Sequence, residues 1–174
     1  PLLPHVPLEE LEAHFRPAFD EAVTPVTILP HAREKLEWCA ARGIRTFVLT
    51  SMDTAAFEKQ MDQFGLRGLF EATYSSVLDK REVIHRILET HSLAPEETAF
   101  VGDMTHDVET ARHGGVSSIA VLTGYNHPEI LAAVRPDITV PDLGVLRSLL
   151  DRRHPVSRPI STVGALIHNR AGEV

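Results

Sequence analysis

The sequence contains a single cysteine, Cys39, among its 174 residues, so the chain cannot form an internal disulfide. It also lacks a basic run, and 17 Lys and Arg against 24 Asp and Glu give a net charge of −7. Surfaces that bind nucleic acids are basic, so this balance argues against a nucleic-acid partner. No apolar run approaches the length of a membrane span, and no signal segment opens the chain. We therefore expect a cytoplasmic protein without a membrane partner.

Helical and strand patterns alternate along the chain. Short apolar runs typical of buried strands occupy residues 44–49, 70–77, 98–101, 118–122 and 137–140. Helical patterns occupy residues 7–22, 30–43, 53–65, 81–91, 108–113, 128–134 and 143–150. The alternation predicts an α/β fold, a three-layer Rossmann-like parallel sheet with helices on both faces. Ligands of such sheets bind outside the carboxyl ends of the strands, so the residues that follow each strand are the candidates for a functional site.

Five polar residues fall at those positions. Thr50 and Ser51 follow the first strand, Lys80 opens the helix after the second, and Asp103 and Asp107 follow the third. Each residue alone is compatible with a helix cap, a turn or a solvated surface. Because the carboxyl ends of parallel strands meet at one edge, we expect the hydroxyl pair, the lysine and the carboxylate pair to converge there.

This set of side chains suits the binding of a phosphate ester together with a metal ion. Phosphoryl transfer depends mostly on positioning and on charge stabilisation. A hydroxyl such as that of Thr50 holds non-reacting oxygens, and a lysine neutralises charge as a point cation. Mg²⁺ prefers oxygen ligands and usually takes one or two carboxylates with several waters. Asp103 is the predicted direct ligand and Asp107 the predicted water-mediated ligand.

Three stretches carry a resemblance to a known family. Residues 101–107 read Val-Gly-Asp-Met-Thr-His-Asp, and the following helix ends in Gly114-Gly115. This stretch resembles the fourth motif of the haloacid dehalogenase superfamily. The apolar strand that ends in Thr50-Ser51 resembles the second motif, and Asp79-Lys80 resembles the third. The resemblance covers residues 25–150 and is similar to the phosphoglycolate-phosphatase-like branch, in which proline usually stands at the position of Arg81.

The resemblance implies a Mg²⁺-dependent phosphohydrolase that acts on a small phosphorylated metabolite through an aspartyl-phosphate. It implies that Lys80 and Asp103 are catalytic, that Thr50, Ser51 and Lys80 bind the substrate, and that Asp103 and Asp107 hold the metal. Residues 25–150 would form the core domain. Residues 1–24 would be the end of a helical cap, whose closure excludes water from such sites.

The family's first motif, a strand that ends in D-x-D-G-T, does not occur in this sequence. Its first aspartate is the nucleophile, so we expect the chain to be a fragment that lacks the nucleophile and has negligible activity by itself. The missing strand would lie at the sheet centre and leave a gap lined by unpaired backbone groups. The alternative is a catalytically inactive binding or regulatory module. A receiver-like signalling domain would place its lysine after the aspartate strand, whereas Lys80 precedes Asp103.

The C-terminal tail has two interpretations. Residues 160–174 form a strand, a turn and the start of a strand, which resembles the opening of a Nudix hydrolase domain joined by a linker at residues 151–159. Alternatively, residues 165–172 imitate the missing first strand, with Asn169 and Ala171 at the two aspartate positions. Neither side chain forms an acyl-phosphate or acts as an acid or base, so such a site would be inactive.

Overall fold

A computed structural model of the chain describes residues 26–152 and 161–163, which include six strands and six α-helices. The strands are β1 Thr46–Leu49, β2 Ala72–Tyr74, β3 Thr98–Gly102, β4 Ser117–Val121, β5 Ile138–Val140 and β6 Ser161–Val163. The helices are α1 Ala32–Ala41, α2 Thr54–Gln63, α3 Arg81–Thr90, α4 Thr105–Gly114, α5 Pro128–Ala133 and α6 Leu143–Arg152. None of these helices is long and apolar enough to cross a membrane. The predicted cap helix and most of the predicted linker and tail lie outside the described residues.

The six strands form one sheet in the order β2-β1-β6-β3-β4-β5, and every adjacent pair is parallel. Parallel neighbours require crossover connections, which the helices between the strands provide. The predicted α/β fold with a Rossmann-like parallel sheet is thereby confirmed. The carboxyl ends of all six strands lie at the same edge, which is where the candidate residues follow β1 and β3.

The centre of the sheet is occupied by β6, the last strand in the sequence. Thr162 pairs with Thr46 of β1 on one side and with Ala99 of β3 on the other. The prediction of a gap at this position was wrong, because a segment of the tail supplies the backbone groups that β1 and β3 need there. The Nudix interpretation of the tail stays a prediction, since residues 164–174 lie outside the described residues.

Alternate side chains of the central strands pack on opposite faces of the sheet. Phe47, Leu49 and Phe100 pack with the apolar sides of α3 and α4. Val48 packs on the other face with residues of α1 and α2, and Val101 packs on that face near α6. The sheet is therefore covered on both sides, and its strands can be continuously apolar.

Several element boundaries differ from the predicted ones. Helix α4 begins at Thr105, three residues before the predicted start, so that Asp107 lies in its first turn. Strand β2 spans only Ala72–Tyr74, and it ends before Ser76, whose left-handed conformation with φ 54° turns the chain. Helix α6 runs to Arg152, two residues into the predicted linker. The predicted end of α4 is confirmed, since Gly115 caps it with φ 68°.

The carboxylate of Asp137 joins the starts of β4 and β5. Its Oδ2 accepts hydrogen bonds from the backbone N–H and the hydroxyl of Ser118, both at 2.7 Å. These bonds, the backbone one foremost, hold the pKa of Asp137 below its ordinary value. Because its pKa is lowered on folding, ionised Asp137 stabilises the folded state at pH values above its unfolded pKa of about 3.9. This contribution is lost as the pH falls through the pKa of Asp137 in the folded state.

We therefore expect Asp137→Asn to be less stable than the parent chain at pH 7, with a difference that shrinks below about pH 4. Urea unfolding followed by circular dichroism at pH 7, 5 and 3 measures this difference. An unchanged difference across the three pH values would show that the charge of Asp137 contributes nothing.

Candidate active site

The predicted hydroxyl pair lies directly after β1. Thr50 is buried, and its Oγ1 accepts a hydrogen bond from the backbone N–H of Met52 at 3.1 Å. The loop that leads to Lys80 is held beside it, because the N–H of Val77 donates to the carbonyl of Thr50 at 3.1 Å. Ser51 is exposed at the same edge. The chain therefore places a buried hydroxyl and an exposed hydroxyl next to the loop that carries the lysine.

Lys80 and Asp107 form a buried ion pair. The Lys80 Nζ donates to Asp107 Oδ1 at 2.6 Å, and the two side chains are only 8% and 5% exposed. Lys80 precedes the first residue of α3 and Asp107 lies in the first turn of α4, so the pair joins two helices that start at the same edge of the sheet. The pairing offsets the cost of burial, because each charge alone would lose its hydration.

The second oxygen of Asp107 holds the loop that follows β3. Oδ2 accepts hydrogen bonds from the backbone N–H groups of Asp103 and Met104, both at 3.1 Å. Gly102 is needed for this arrangement, since a Cβ there would overlap the Asp107 carboxylate. Both oxygens of Asp107 thus have partners within the protein. The carboxylate positions Lys80 and the Asp103 loop, and its predicted role as a water-mediated metal ligand stays a prediction.

Asp103 lies partly buried at the end of β3 and faces the loop that follows β4. Its Oδ2 accepts a hydrogen bond from the backbone N–H of Tyr125 at 2.6 Å. Gly124 lets the two segments approach, because a Cβ at that position would overlap the carboxylate of Asp103. Asn126 completes the contact, since its Oδ1 accepts from the N–H of Thr105 at 2.8 Å.

No role was predicted from the sequence for Gly124, Tyr125 or Asn126. Their position in the sequence could have indicated a role, because these residues follow β4 at the same edge as the other candidates. The same rule that selected Asp103 would have selected Asn126. The close approach at Gly124 could not be read from the sequence, since it depends on the spacing of two loops.

Asp79 and His106 lie at the rim of the site. Both oxygens of Asp79 accept hydrogen bonds from the Arg81 guanidinium, which lowers the pKa of Asp79 to about 2. His106 Nε2 lies 3.7 Å from Asp79 Oδ1. At neutral pH Asp79 is therefore ionised and paired, and it is a poor candidate for a general base.

The side chains at this edge could supply only some of the ligands that a Mg²⁺ ion needs. Among residues 26–152 and 161–163, no group of three or more His, Cys, Asp or Glu side chains could hold a metal ion. Asp103 and Asp107 offer oxygen donors without sulfur or imidazole, which is the chemistry that Mg²⁺ prefers. Mg²⁺ also needs no dedicated cage, because it keeps several waters. The residues fit a Mg²⁺ site that depends on further oxygen ligands from water, substrate or another segment.

Comparisons with known proteins show the family of the chain. Residues 7–121 match the family model of the haloacid dehalogenase-like hydrolases. A 5′-nucleotidase from Pseudomonas aeruginosa is 32% identical over 123 residues, which are 68% of this chain and 56% of that protein. A phosphoglycolate phosphatase from Pseudomonas putida is 24% identical over 143 residues, 79% of this chain and 53% of that protein. The chain thus spans about half the length of the curated relatives that it matches.

The fold of this chain is similar to that of a solved structure. A hydrolase of the haloacid dehalogenase-like family from Streptococcus pneumoniae superposes with a TM-score of 0.64 and 25% sequence identity. The match covers 70% of this chain and 59% of the other. The parallel sheet and the helices that flank it are therefore shared with a member of that family.

Proposed function

Because the chain belongs to the haloacid dehalogenase-like hydrolases, we propose that it is the phosphate- and metal-binding part of a phosphatase that acts on a small phosphate monoester. The observation that carries the proposal is the buried pair of Lys80 and Asp107, 2.6 Å apart, whose carboxylate also orders the loop of Asp103. A lysine held in place by a carboxylate, with a second carboxylate beside it, matches the needs of a phosphoryl group and its counter-cation.

Lys80 would bind a non-bridging oxygen of the phosphoryl group. Its ammonium has three N–H donors, and Asp107 accepts one of them at 2.6 Å. The ammonium lies in a buried environment, where its charge is screened less than in water. Asp107 would thus hold Lys80 in place, so that little reorganisation is needed as charge develops on the phosphoryl oxygens.

Thr50 and Ser51 would donate hydrogen bonds to the same phosphoryl group. The Thr50 hydroxyl already accepts from the N–H of Met52, which leaves its own hydrogen to donate. The short turn after β1 also brings backbone N–H groups to this edge. Such donors position the ester for in-line displacement.

Asp103 would be the ligand of Mg²⁺, with Asp107 supporting it through the loop that both share. A bound Mg²⁺ would supply charge neutralisation at the phosphoryl oxygens. Tyr125 and Asn126 would keep Asp103 in place through the hydrogen bonds of their loop. This loop is therefore part of the positioning machinery of the proposed site.

The nucleophile of the proposed reaction is an aspartate that this sequence does not contain. Its carboxylate oxygen would attack phosphorus as the bond to the alcohol oxygen breaks, and the second aspartate of the D-x-D motif would protonate the leaving alcohol. The same aspartate would then take a proton from the water that hydrolyses the aspartyl-phosphate, which releases inorganic phosphate and the free nucleophile. The described residues of β6, which occupy the central position, are Ser161, Thr162 and Val163 and include no carboxylate. Another segment of a longer protein would have to supply the nucleophile.

Two of the relatives are named as phosphatases of different substrates, a nucleotide and phosphoglycolate. Both substrates are small phosphate monoesters. Their shared chemistry favours a phosphatase over the alternative, a catalytically inactive module. Thr50, Ser51 and Lys80 would contact only the phosphate, so the choice of alcohol would lie with other parts of the protein.

The test compares two forms of the protein. The full-length gene product should hydrolyse p-nitrophenyl phosphate in the presence of Mg²⁺, whereas the purified 174-residue chain should show negligible turnover. Asp103→Asn should lower kcat/KM of the full-length protein by about a hundredfold or more. Asp53→Asn is the matched control, because Asp53 caps α2 and asparagine caps a helix equally well.

Two results would contradict the proposal. A full-length protein that hydrolyses no phosphate ester with Mg²⁺ would exclude the reaction. Robust turnover by the 174-residue chain, abolished in Asp103→Asn, would show that the chain carries a nucleophile after all.

A further inference from the structure

Strand β6 is shorter than both of the strands that it pairs with. It has three residues, whereas β1 has four and β3 has five. Its last residue, Val163, lies level with Phe47 of β1 and Phe100 of β3. Both neighbours continue for two residues beyond that level before they end. Strand β6 therefore ends before the carboxyl edge, where the proposed phosphate site lies.

The place between β1 and β3, which residues 161–163 fill, is called the central slot below. Three residues beyond the level of Val163, the chain reaches Thr50 on the β1 side and Asp103 on the β3 side. Neighbouring strands lie about 4.8 Å apart. A strand that continued through the slot to that level would thus place a residue directly between Thr50 and Asp103.

The central slot can hold only one strand at a time. The other edge of β1 is paired with β2, and the other edge of β3 is paired with β4. The backbone groups of β1 and β3 that face the slot form their ladder with β6, so a second strand cannot pair there as well. Within the described sheet, no other position lies between Thr50 and Asp103.

The segment that forms β6 cannot supply a nucleophile at this level. The sequence contains no Asp or Glu from residue 152 to residue 172. Glu173 follows Val163 by ten residues, whereas the level of Thr50 and Asp103 is reached three residues after Val163. A nucleophilic aspartate between Thr50 and Asp103 must therefore belong to a different strand, and that strand needs the place that β6 holds.

We propose that the central slot is a site of strand exchange: in the longer protein, a parallel strand with the nucleophilic aspartate at its carboxyl end binds between β1 and β3 and displaces β6. The inference rests on the proposed function, because it takes the nucleophile to act beside Asp103. A strand of five residues would pair along all of β3 and form more ladder hydrogen bonds than the three-residue β6. Exchange would leave residues 161–163 free to form the first strand of the predicted Nudix domain.

Disulfide trapping reports which strand fills the slot. Thr46 and Thr162 are Cα partners in parallel strands, whose spacing of about 4.8 Å is one that a disulfide can span. Thr46→Cys/Thr162→Cys is introduced into the 174-residue chain and into the full-length protein, both are oxidised mildly, and the linked peptides are quantified by mass spectrometry. We expect the disulfide to form in the 174-residue chain, with a yield about tenfold lower in the full-length protein.

Two further cysteine pairs control this experiment. Ala99→Cys/Ser117→Cys joins β3 to β4, which the exchange does not separate, and should form equally in both proteins. Ala99→Cys/Thr162→Cys tests the other side of β6 and should follow the first pair. Equal yields of the β1–β6 disulfide in both proteins would overturn the proposal. So would its absence from the 174-residue chain when the β3–β4 disulfide forms there.

Thr162→Pro tests the exchange without cysteines. Proline removes a ladder N–H from the middle of the sheet, so the melting temperature of the 174-residue chain should fall by about 5 °C or more. Thr162→Val keeps the backbone N–H and the branched Cβ, and it should melt near the parent. In the full-length protein, Thr162→Pro should leave kcat/KM for p-nitrophenyl phosphate unchanged, because β6 is outside the sheet. A loss of about tenfold or more there would contradict the exchange.

The failure of this inference is distinguishable from a failure of the proposed function. If the full-length protein hydrolyses no phosphate ester, the proposed function is wrong, and the disulfide yields still show whether another strand has taken the slot. If the full-length protein is active and forms the β1–β6 disulfide as readily as the 174-residue chain, the proposed function stands and the exchange is wrong.

Discussion

Replacing Asp107 by alanine is expected to destabilise the protein by about 3–5 kcal/mol, because it leaves the Lys80 ammonium buried without a counter-charge. The Lys80 side chain is only 8% exposed, so water cannot replace the lost partner. The N–H groups of Asp103 and Met104 would also lose their acceptor. Urea unfolding followed by circular dichroism measures the loss, at a temperature low enough for the variant to remain folded.

A matched control separates the buried pair from an ordinary aspartate. Asp53→Ala removes a helix cap on α2, where the carboxylate accepts from the N–H of Ala56, and should cost about 1 kcal/mol. The double variant Lys80→Met/Asp107→Leu removes both charges and should cost less than the sum of the single replacements. If Asp107→Ala is no worse than Asp53→Ala, the pair does not hold the two helices together.

Gly124→Ala is expected to lower the proposed phosphatase kcat of the full-length protein about a hundredfold, because a Cβ would occupy the space of the Asp103 carboxylate. The carboxylate would have to move, and its hydrogen bond from Tyr125 N–H would break. A displacement of about 1 Å at a reacting centre is enough for such a loss. The variant should therefore need more Mg²⁺ for half-maximal activity, while its melting temperature changes less than that of Asp107→Ala.

Gly144→Ala provides the comparison for Gly124→Ala. Gly144 lies in the first turn of α6, where a Cβ would meet only side-chain atoms, the nearest at 3.1 Å. Its kcat and Mg²⁺ requirement should match those of the parent. If Gly124→Ala keeps full activity with an unchanged Mg²⁺ requirement, then Asp103 does not need the position that this loop imposes on it.

Much of the fold could be predicted from the sequence because local patterns determine it. The strands around Phe47 and Phe100 are mostly apolar, as expected of strands covered on both faces, and the helices between them show apolar residues at helical spacing. Strand β5 was also predicted, at residues 137–140, and it lies at the edge of the sheet. The boundary of α4 was predicted three residues too late because its first turn is polar.

The position of the candidate residues could be predicted for the same reason. A parallel sheet places the ends of its strands together, so Thr50, Lys80 and Asp103 were expected at one edge from their order alone. Their proposed roles, the Mg²⁺ ion and the cytoplasmic location stay predictions. The double engagement of Asp107, by Lys80 on one oxygen and by the Asp103 loop on the other, depends on distances that no sequence pattern contains.

The sequence by itself determined the family, the alternation of strands and helices, and the set of side chains available at the carboxyl edge, because each follows from residue type and spacing. Only the tertiary structure decided that β6 fills the sheet centre, that Gly124 admits Asp103, and that Lys35 is buried without an acceptor. These features arise from segments far apart in the chain that come into contact on folding. The free energy that each of these contacts contributes depends on burial and on the distances between atoms, and both are defined only once the chain has folded.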